Sequence, residues 1–333
     1  MEPDTSPSPG VRLRRSGSQM RSAQTRGTPF NGLSRRLGHT ATFRVVSLIP
    51  LLLFLVIFAA YPIYELLRMA TSSVALQQGE FRWSFAGMEN FVRMTSDRTF
   101  RTALWNSGVF IVITTAVTLI LGTVLALLVV RSRYLGRLAR NVFVWPAVIA
   151  PVVVSVIWFL ILSPEFGVLN KVFSSIGVAP QAWLTQSSAA LPAVMLVDVW
   201  HWTPIVFLLV LAGLSGIDHD IYEAARIDGA NEFQITQRIT LPLLVPSLVV
   251  ATVVRLIMGV KVFDEMFVLT HGGPGISTMV ISLHIQNVFF GEVDLGYGAA
   301  LGVTVVAMLL AIFLLVGLSR PLWRRMVQRG RPA

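Results

Sequence analysis

The stretch NSGVFIVITTAVTLILGTVLALLVV, residues 106–130, contains no charged side chain. It is long enough to cross the hydrocarbon core of a bilayer as a helix, which takes about 20 predominantly apolar residues. Lipid offers no hydrogen-bond partners, so a spanning backbone must satisfy its own polar groups, and a helix does this within one segment. Residues 106–130 therefore predict a transmembrane helix.

Five further stretches of the chain have a similar length and apolar character. The 333 residues are 54% hydrophobic and only 13% charged, which is far from the composition of a soluble domain. The sequence therefore predicts an all-α membrane protein with six transmembrane helices within residues 44–320. The other five predicted spans are 45–67, 141–162, 191–213, 243–268 and 298–319.

The placement of the basic residues predicts the orientation of these spans. If the N-terminus is cytoplasmic, 19 of the 27 Lys and Arg residues fall on the inner side and 6 on the outer side. This is the positive-inside pattern, so both termini are predicted in the cytoplasm of a multi-pass protein of the bacterial inner membrane. The net charge of +10 is thus explained by the basic residues of the inner segments. The sequence has no basic segment with interleaved aromatic residues, the pattern that would indicate nucleic-acid binding.

Both ends of the chain are predicted to be basic cytoplasmic tails. Residues 1–43 are rich in Arg, Ser, Gly and Pro and lack apolar periodicity, which favours disorder. A cleavable signal peptide is the less favoured alternative, because the apolar stretch 45–67 is too long for one. Residues 321–333 form the second tail. The chain contains no cysteine, which excludes disulfides, thiol catalysis and Cys-ligated metals.

The predicted cytoplasmic loop 214–242 has an unusual composition for an inner loop. Asp220 followed by Glu223 is a variant of the capping box and predicts a helix start. Gly229 supplies a helix stop and Pro242 ends a second short segment, so two short helices are predicted beneath the membrane. The loop is the most acidic of the inner segments, with Asp218, Asp220, Glu223, Asp228 and Glu232.

The first of these helices has the features of a docking surface. Ala224 and Ala225 give it a flat side that another backbone can approach, and Ile221 and Tyr222 add apolar area. The alternative is an amphipathic helix lying on lipid headgroups. That alternative favours Lys and Arg on the polar face, whereas acids dominate here.

The same loop resembles a known family signature. Glu223-Ala224-Ala225, then Gly229, then Ile239-Thr240-Leu241-Pro242 looks like the EAA motif of binding-protein-dependent ABC importer permeases, in residue type and in spacing. The flanking residues are similar to the sugar-permease branch, typified by the maltose and glycerol-phosphate permeases. These residues are Tyr222, Arg226-Ile227-Asp228-Gly229-Ala230, Pro246, Phe263-Asp264-Glu265, Leu269-Thr270 and Gly272-Gly273-Pro274.

This resemblance implies a type I importer permease that forms half of a translocation path for a mono- or oligosaccharide. It implies three kinds of partner: a dimer of ATP-binding subunits, a second and different permease subunit, and an extracytoplasmic solute-binding protein. The chain has no phosphate-binding loop, so ATP and Mg are expected on the partner ATPase and no cofactor on this chain. The implied coupling helix is 220–230. The implied ATPase-coupling residues are Tyr222, Glu223, Ala224, Ala225, Asp228, Gly229, Leu241 and Pro242.

Ionisable residues inside the predicted spans indicate where a substrate could pass, because such groups usually face a protein interior or a water-filled cavity. Two clusters, on the fourth and fifth spans, are predicted at the outer half of the membrane and could share one cavity. Alternatively, Lys261 could simply neutralise Asp264 and Glu265 along one helix. The candidate path residues are Asp198, Trp200, Trp202, Lys261, Asp264 and Glu265.

Other functions remain open from the sequence. An intramembrane enzyme could use Asp198, His201 and Asp264, and would turn over without nucleotide. A metal site is disfavoured, because Asp198 and His201 are too few ligands for one. A scaffolding protein would leave the charged groups within spans unexplained. A transporter of this class could also carry a polyol, a glycerol phosphate, which Arg255 and Lys261 would suit, or a polyamine, which the acids would suit.

Overall fold

The computed structural model describes residues 40–77, 80–132 and 143–329. The chain divides into two compact units, Met1–Tyr61 and Pro62–Ala333, and the features below belong to the second unless stated. The predicted disordered tail lies outside the described residues up to residue 39, and its last four residues already belong to the first helix. Residues 330–333 of the second tail also lie outside them.

The described chain is mostly helical. A two-stranded antiparallel hairpin, β1 and β2, follows the first helix. Two π-helical turns, Thr236–Thr240 and Asn287–Gly291, connect consecutive helices. The bounds of the elements are α1 Thr40–Ala70, β1 Ser72–Gln77, β2 Glu80–Phe85, α2 Glu89–Ser96, α3 Arg98–Arg131, α4 Pro151–Ile161, α5 Val168–Ser175, α6 Ser187–Ser215, α7 His219–Ile227, α8 Glu232–Ile235, α9 Leu241–Val260, α10 Asp264–Leu269, α11 Ile281–Gln286 and α12 Leu295–Arg329.

Four helices among the described residues are long and apolar enough to cross a membrane. They are Val46–Ala70, Arg98–Arg131, Ser187–Ser215 and Glu232–Val260. The predicted span 141–162 is instead interrupted, because residues 149–150 are not helical and α4 begins only at Pro151. A proline disfavours helical backbone in the residue before it, and Ala150 is accordingly extended, with φ −61° and ψ 138°. The sixth predicted span, 298–319, lies entirely within α12, which begins with the apolar segment Leu295–Ala311.

The hairpin is an addition to the all-helical prediction. It occupies part of the loop 68–105, and Val74 pairs with Trp83 across it. The guanidinium carbon of Arg68, at the end of α1, lies 4.7 Å from the centre of the Trp83 ring. This cation–π contact packs the end of α1 against the hairpin.

Helices α3, α6 and α9 pack closely, and α6 contributes more buried residues than either of the other two. Gly122 of α3 permits the approach of α6, because a Cβ at this position would lie 2.9 Å from the backbone nitrogen of Phe207. The core has two apolar clusters. One includes Phe110, Val197, Met266 and Leu283, and the other includes Ala126, Phe207, Leu211 and Leu244.

Along α3, α6 and α9, a layer of buried polar side chains lies between these two clusters. It contains Thr114, Thr115, Thr118, Asp198, His201 and Arg255, with Glu265 of α10 beside it. Burying polar or charged groups is costly unless they are paired. This layer therefore indicates a site with a specific arrangement of partners.

Candidate functional site

The loop helix α7 begins two residues before the helix start that the sequence predicted. Asp218 caps it, accepting a hydrogen bond from the Asp220 backbone N–H at 3.1 Å. Asp218 has an extended backbone, with φ −63° and ψ 136°, as an N-cap residue does. The predicted pair of Asp220 and Glu223 therefore lies inside the first turns of the helix, and the start of α7 is corrected to His219.

Helix α7 ends where the sequence predicts a stop. Gly229 has a φ of +80°, in the left-handed region that glycine adopts without strain. The Ala230 N–H donates to the Ala225 carbonyl at 3.0 Å, and the Gly229 N–H donates to that of Arg226 at 3.1 Å. These bonds satisfy carbonyls that the end of the helix would otherwise leave without partners.

The second predicted short helix is instead the beginning of a long one. Asn231 and Gln234 form a reciprocal capping box, with both hydrogen bonds at 2.9 Å. From there the helix continues to Val260 through the π turn, so Pro242 does not end it as predicted. Proline lacks a backbone donor, and the wider turn accommodates this loss, because the Leu241 N–H bonds to Thr236 five residues earlier.

The outward surface of the loop is only partly the predicted one. Ala225 is buried against the protein, so Ala224 alone of the two alanines is on the exposed side. Two apolar side chains that the prediction had not emphasised are far more open, with Ile227 86% and Phe233 74% exposed. Of the other predicted coupling residues, Glu223, Asp228, Gly229 and Pro242 are exposed, whereas Tyr222 and Leu241 are half-buried.

The carboxylate of Glu232 joins α7 to two other helices, a contact that sequence reasoning missed. Arg226 of α7 donates to it at 3.2 Å. Arg131, at the end of α3, lies 3.7 Å from the same carboxylate and donates to the backbone carbonyl of Glu232 at 3.1 Å. The loop helix is therefore held to the ends of α3 and α8 by charged groups. Only the acidity of Glu232 signalled this in the sequence.

Five of the six predicted path residues line one cavity of about 460 Å³. The cavity lies beside the end of α9 and the start of α10, where apolar residues complete its wall. Pro151, Val254, Ile257, Met258 and Phe263 were not predicted to line it, since apolar residues in a span carry no distinguishing signal. The five predicted residues are Asp198, Trp202, Lys261, Asp264 and Glu265.

Trp200 is the residue that the structure separates from this group. It is two positions from both Asp198 and Trp202, which places it about 200° around the helix axis from each. Its ring instead contacts that of Trp158 edge-on, with centroids 5.6 Å apart, at a separate apolar cavity. The two-residue spacing already indicates that Trp200 lies on a different face of the helix from Asp198 and Trp202. The sequence does not indicate which of these faces points toward the cavity.

A buried ion pair lies behind the cavity. The Arg255 guanidinium is fully buried and donates from Nη2 to the Asp198 carboxylate at 2.5 Å. Its Nε donates to the Thr118 hydroxyl at 3.2 Å, so the group joins α9 to both α6 and α3. Lys261 does not share one helix with Asp264 and Glu265, as the alternative interpretation required. Lys261 follows the end of α9, and a new helix begins at Asp264.

A second buried pair adjoins the first. His201 and Glu265 are almost completely buried, and the imidazole Nδ1 lies 3.5 Å from the carboxylate Oε1. The other imidazole nitrogen, Nε2, lies 3.2 Å from the backbone carbonyl of Ile149. Among the residues that the structure describes, no group of three His, Cys, Asp or Glu side chains is placed to hold a metal ion.

A third polar cluster ties the start of α3 to α11 and α12, away from the predicted site residues. Asp97 accepts from the Tyr297 hydroxyl at 2.6 Å, and His284 Nε2 lies 3.2 Å from the same carboxylate. Burial raises the pKa of the Asp97 carboxyl, but the hydrogen bonds from Tyr297 and from backbone N–H groups outweigh it, so its pKa is lowered. Burial lowers the pKa of His284 more than the Asp97 carboxylate raises it.

Comparison with known proteins places this architecture in one class. Residues 118–329 match the family described as binding-protein-dependent transport system inner membrane component. The chain is 34% identical over 298 residues to the trehalose/maltose transport system permease protein MalF of Thermococcus litoralis, covering 87% of this chain and 99% of that protein. It is 32% identical over 268 residues to the sulfoquinovosyl glycerol transport system permease protein SmoG of Agrobacterium fabrum, covering 80% and 87%.

A solved structure supports the fold. A bacterial alginate ABC transporter, crystallised with its alginate-bound periplasmic protein, contains a chain that superposes with a TM-score of 0.73 at 24% identity, covering 87% of this chain and 98% of that one. The fold is that of an ABC transporter permease. The chain belongs to the family of binding-protein-dependent transport system inner membrane components.

The positive φ of Gly229 generates a prediction about the loop. A Cβ at this position would meet nothing within 4 Å, so a substitution acts through backbone conformation alone. We expect Gly229→Val to destabilise the helix end by about 1–2 kcal/mol, because an L-residue is strained in this region. Gly229→Asn is the matched control, since asparagine tolerates it better.

The measurement for Gly229 is amide hydrogen exchange at residues 229 and 230, whose N–H groups close the helix. Gly229→Val should speed this exchange by roughly 5–30-fold relative to the wild type, and Gly229→Asn by clearly less. Equal exchange in the two variants would contradict the conformational role of Gly229.

The buried ion pair generates a prediction about stability. Asp198→Leu leaves the Arg255 charge buried without its partner and should cost about 3–5 kcal/mol of unfolding free energy. The double variant Asp198→Leu with Arg255→Met removes both charges and should recover most of that loss. A double-mutant cycle on the purified chain measures the coupling. If the two effects simply add, the pair is not the interaction that stabilises this layer.

Proposed function

We propose that this chain is the permease subunit of an ATP-driven, binding-protein-dependent importer and forms half of the translocation path for a carbohydrate. The observation that carries the proposal is the convergence of Asp198, Trp202, Lys261, Asp264 and Glu265 on one cavity. The two relatives described above are named for the transport of sugar compounds, which supports the same cargo class.

The charge arrangement favours an uncharged, polyhydroxylated cargo over the alternatives. Arg255 would suit a phosphate, but it is fully buried and already bonded to Asp198. Asp198 would suit a polyamine, but the same ion pair neutralises it. What remains at the cavity is Lys261 and Asp264, which carry opposite charges, the almost completely buried carboxyl of Glu265, which faces His201, and the ring of Trp202. Such a surface can hydrogen-bond hydroxyl groups and cover the apolar C–H face of a sugar ring.

The path from the loop to the cavity is a single helix. Glu232, which holds α7 through Arg226, begins the helix that carries Arg255. These two residues are about 35 Å apart along the axis at 1.5 Å per residue. A displacement of α7 would therefore be transmitted by a rigid element to the ion pair behind the cavity. This geometry supports alternating access driven from the cytoplasmic loop.

The proposal requires partners supplied by other chains. The exposed surface of α7, with Glu223, Ala224 and Ile227, would contact a dimer of ATP-binding subunits, which would hold ATP and Mg and perform the hydrolysis. A second permease subunit would complete the path, and an extracytoplasmic solute-binding protein would deliver the cargo. This chain would contribute no catalysis of its own.

The orientation proposed for this importer places both termini and the loop in the cytoplasm. The absence of native cysteine allows single-cysteine labelling without background. Ile227→Cys, at a highly exposed position and in cells that express this chain without its ATP-binding subunits, should react with an impermeant maleimide only when the cytoplasmic face is accessible. Ser84→Cys, in the hairpin, is the control and should react from the other side. The reverse pattern would overturn the orientation.

The cargo assignment is tested with two tryptophans two residues apart on α6. In transporters reconstituted with their ATPase and binding protein, Trp202→Ala should reduce oligosaccharide uptake by about tenfold, or ~1.4 kcal/mol, because the cavity loses its aromatic face. Trp200→Ala is the matched control, since its ring faces another cavity. Equal uptake by the two variants, at equal assembly, would remove the support for this cavity as the path.

A further inference from the structure

His201 and Glu265 face one another with two unsatisfied acceptor positions. His201 is 0% and Glu265 3% exposed. The imidazole Nδ1 and the carboxylate Oε1, 3.5 Å apart, both lack a hydrogen-bond partner. Buried polar atoms without partners are rare in folded proteins, and each requires an explanation.

The other ring nitrogen decides how the protons are arranged. His201 Nε2 lies 3.2 Å from the Ile149 carbonyl, and a carbonyl oxygen can only accept, so Nε2 carries a hydrogen. In a neutral imidazole Nδ1 is then an acceptor. An ionised Glu265 is also only an acceptor, so two lone pairs would face each other in a site removed from water.

We propose that His201 and Glu265 form a buried proton-binding site that holds a single proton between Nδ1 and Oε1. The proton is taken up from water and is held as an N–H or an O–H, without any other bond being broken. With the proton on Nδ1 the pair is an imidazolium and a carboxylate. With the proton on Oε1 it is an imidazole and a carboxylic acid. The pair is neutral in both arrangements.

The charges around the site explain why this proton matters. Asp198 is paired with Arg255, and Lys261 and Asp264 carry opposite charges at the same cavity. Helix α4, which packs against α10, contains no ionisable residue. The bound proton therefore makes the cavity wall neutral, and its loss would leave one unpaired negative charge. The link to an uncharged cargo rests on the proposed function, whereas the proton site does not.

The test reads the proton directly in the full-length chain, assembled with its partners in lipid nanodiscs. Nitrogen-15 NMR of labelled histidine reports whether His201 Nδ1 carries a proton, and infrared spectroscopy reports whether Glu265 is a carboxylic acid or a carboxylate. We expect, at neutral pH, either a protonated Nδ1 or a carboxylic-acid band that is lost in Glu265→Gln. A bare Nδ1 together with an ionised Glu265 would overturn the proposal.

A surface pair offers a matched control at the same separation. His219 Nε2 lies 3.5 Å from the Glu223 carboxylate, but their side chains are 74% and 62% exposed. Glu265→Gln should shift the His201 signals, because an amide replaces the carboxyl group that faces Nδ1, while the His219 signals stay unchanged. His201→Gln assigns the His201 signals. An unchanged His201 spectrum in Glu265→Gln would also refute a shared proton, whether or not the transport proposal holds.

Discussion

The hydrogen-bonded ion pair between Arg255 and Asp198 is the constraint on which the inner architecture depends. A guanidinium cannot remain in an apolar interior without a partner, and Arg255 is fully buried. Its bonds to Asp198 and Thr118 fix α9 against α6 and α3 at one depth. The apolar clusters on either side of this layer can pack only in the register that the ion pair permits.

The same helix links this layer to the loop helix α7. Because the π turn accommodates Pro242, the chain from Glu232 to Val260 is one rigid element instead of a loop helix followed by a span. Two arginines hold its start, Arg131 from α3 and Arg226 from the loop helix. These ion pairs are exposed and individually weak, so they would permit the movement of α7 that the proposed mechanism requires.

The charge of the cavity depends both on the ion pair beside it and on the side chains that line it. Arg255 and Asp198 are bonded to one another, so their opposite charges offset each other beside the cavity. The break between α9 and α10 separates Lys261 from Asp264, and both side chains line the opening beside Trp202. The packing of the helices thus places these costly ionisable residues beside partners, with Asp198 bonded to Arg255 and the Glu265 carboxyl facing His201.

The sequence by itself determined the elements that depend on local chemistry. Apolar runs fixed the membrane class, the charge distribution predicted the orientation, and Gly229 marked the helix stop, since partitioning and backbone conformation are properties of a segment. Tertiary structure alone decided that Trp202 and not Trp200 faces the cavity, and that Ala224 and not Ala225 faces outward. It also brought Asp198 to Arg255, because the partner of a buried charge depends on how separate helices pack and not on spacing within one of them.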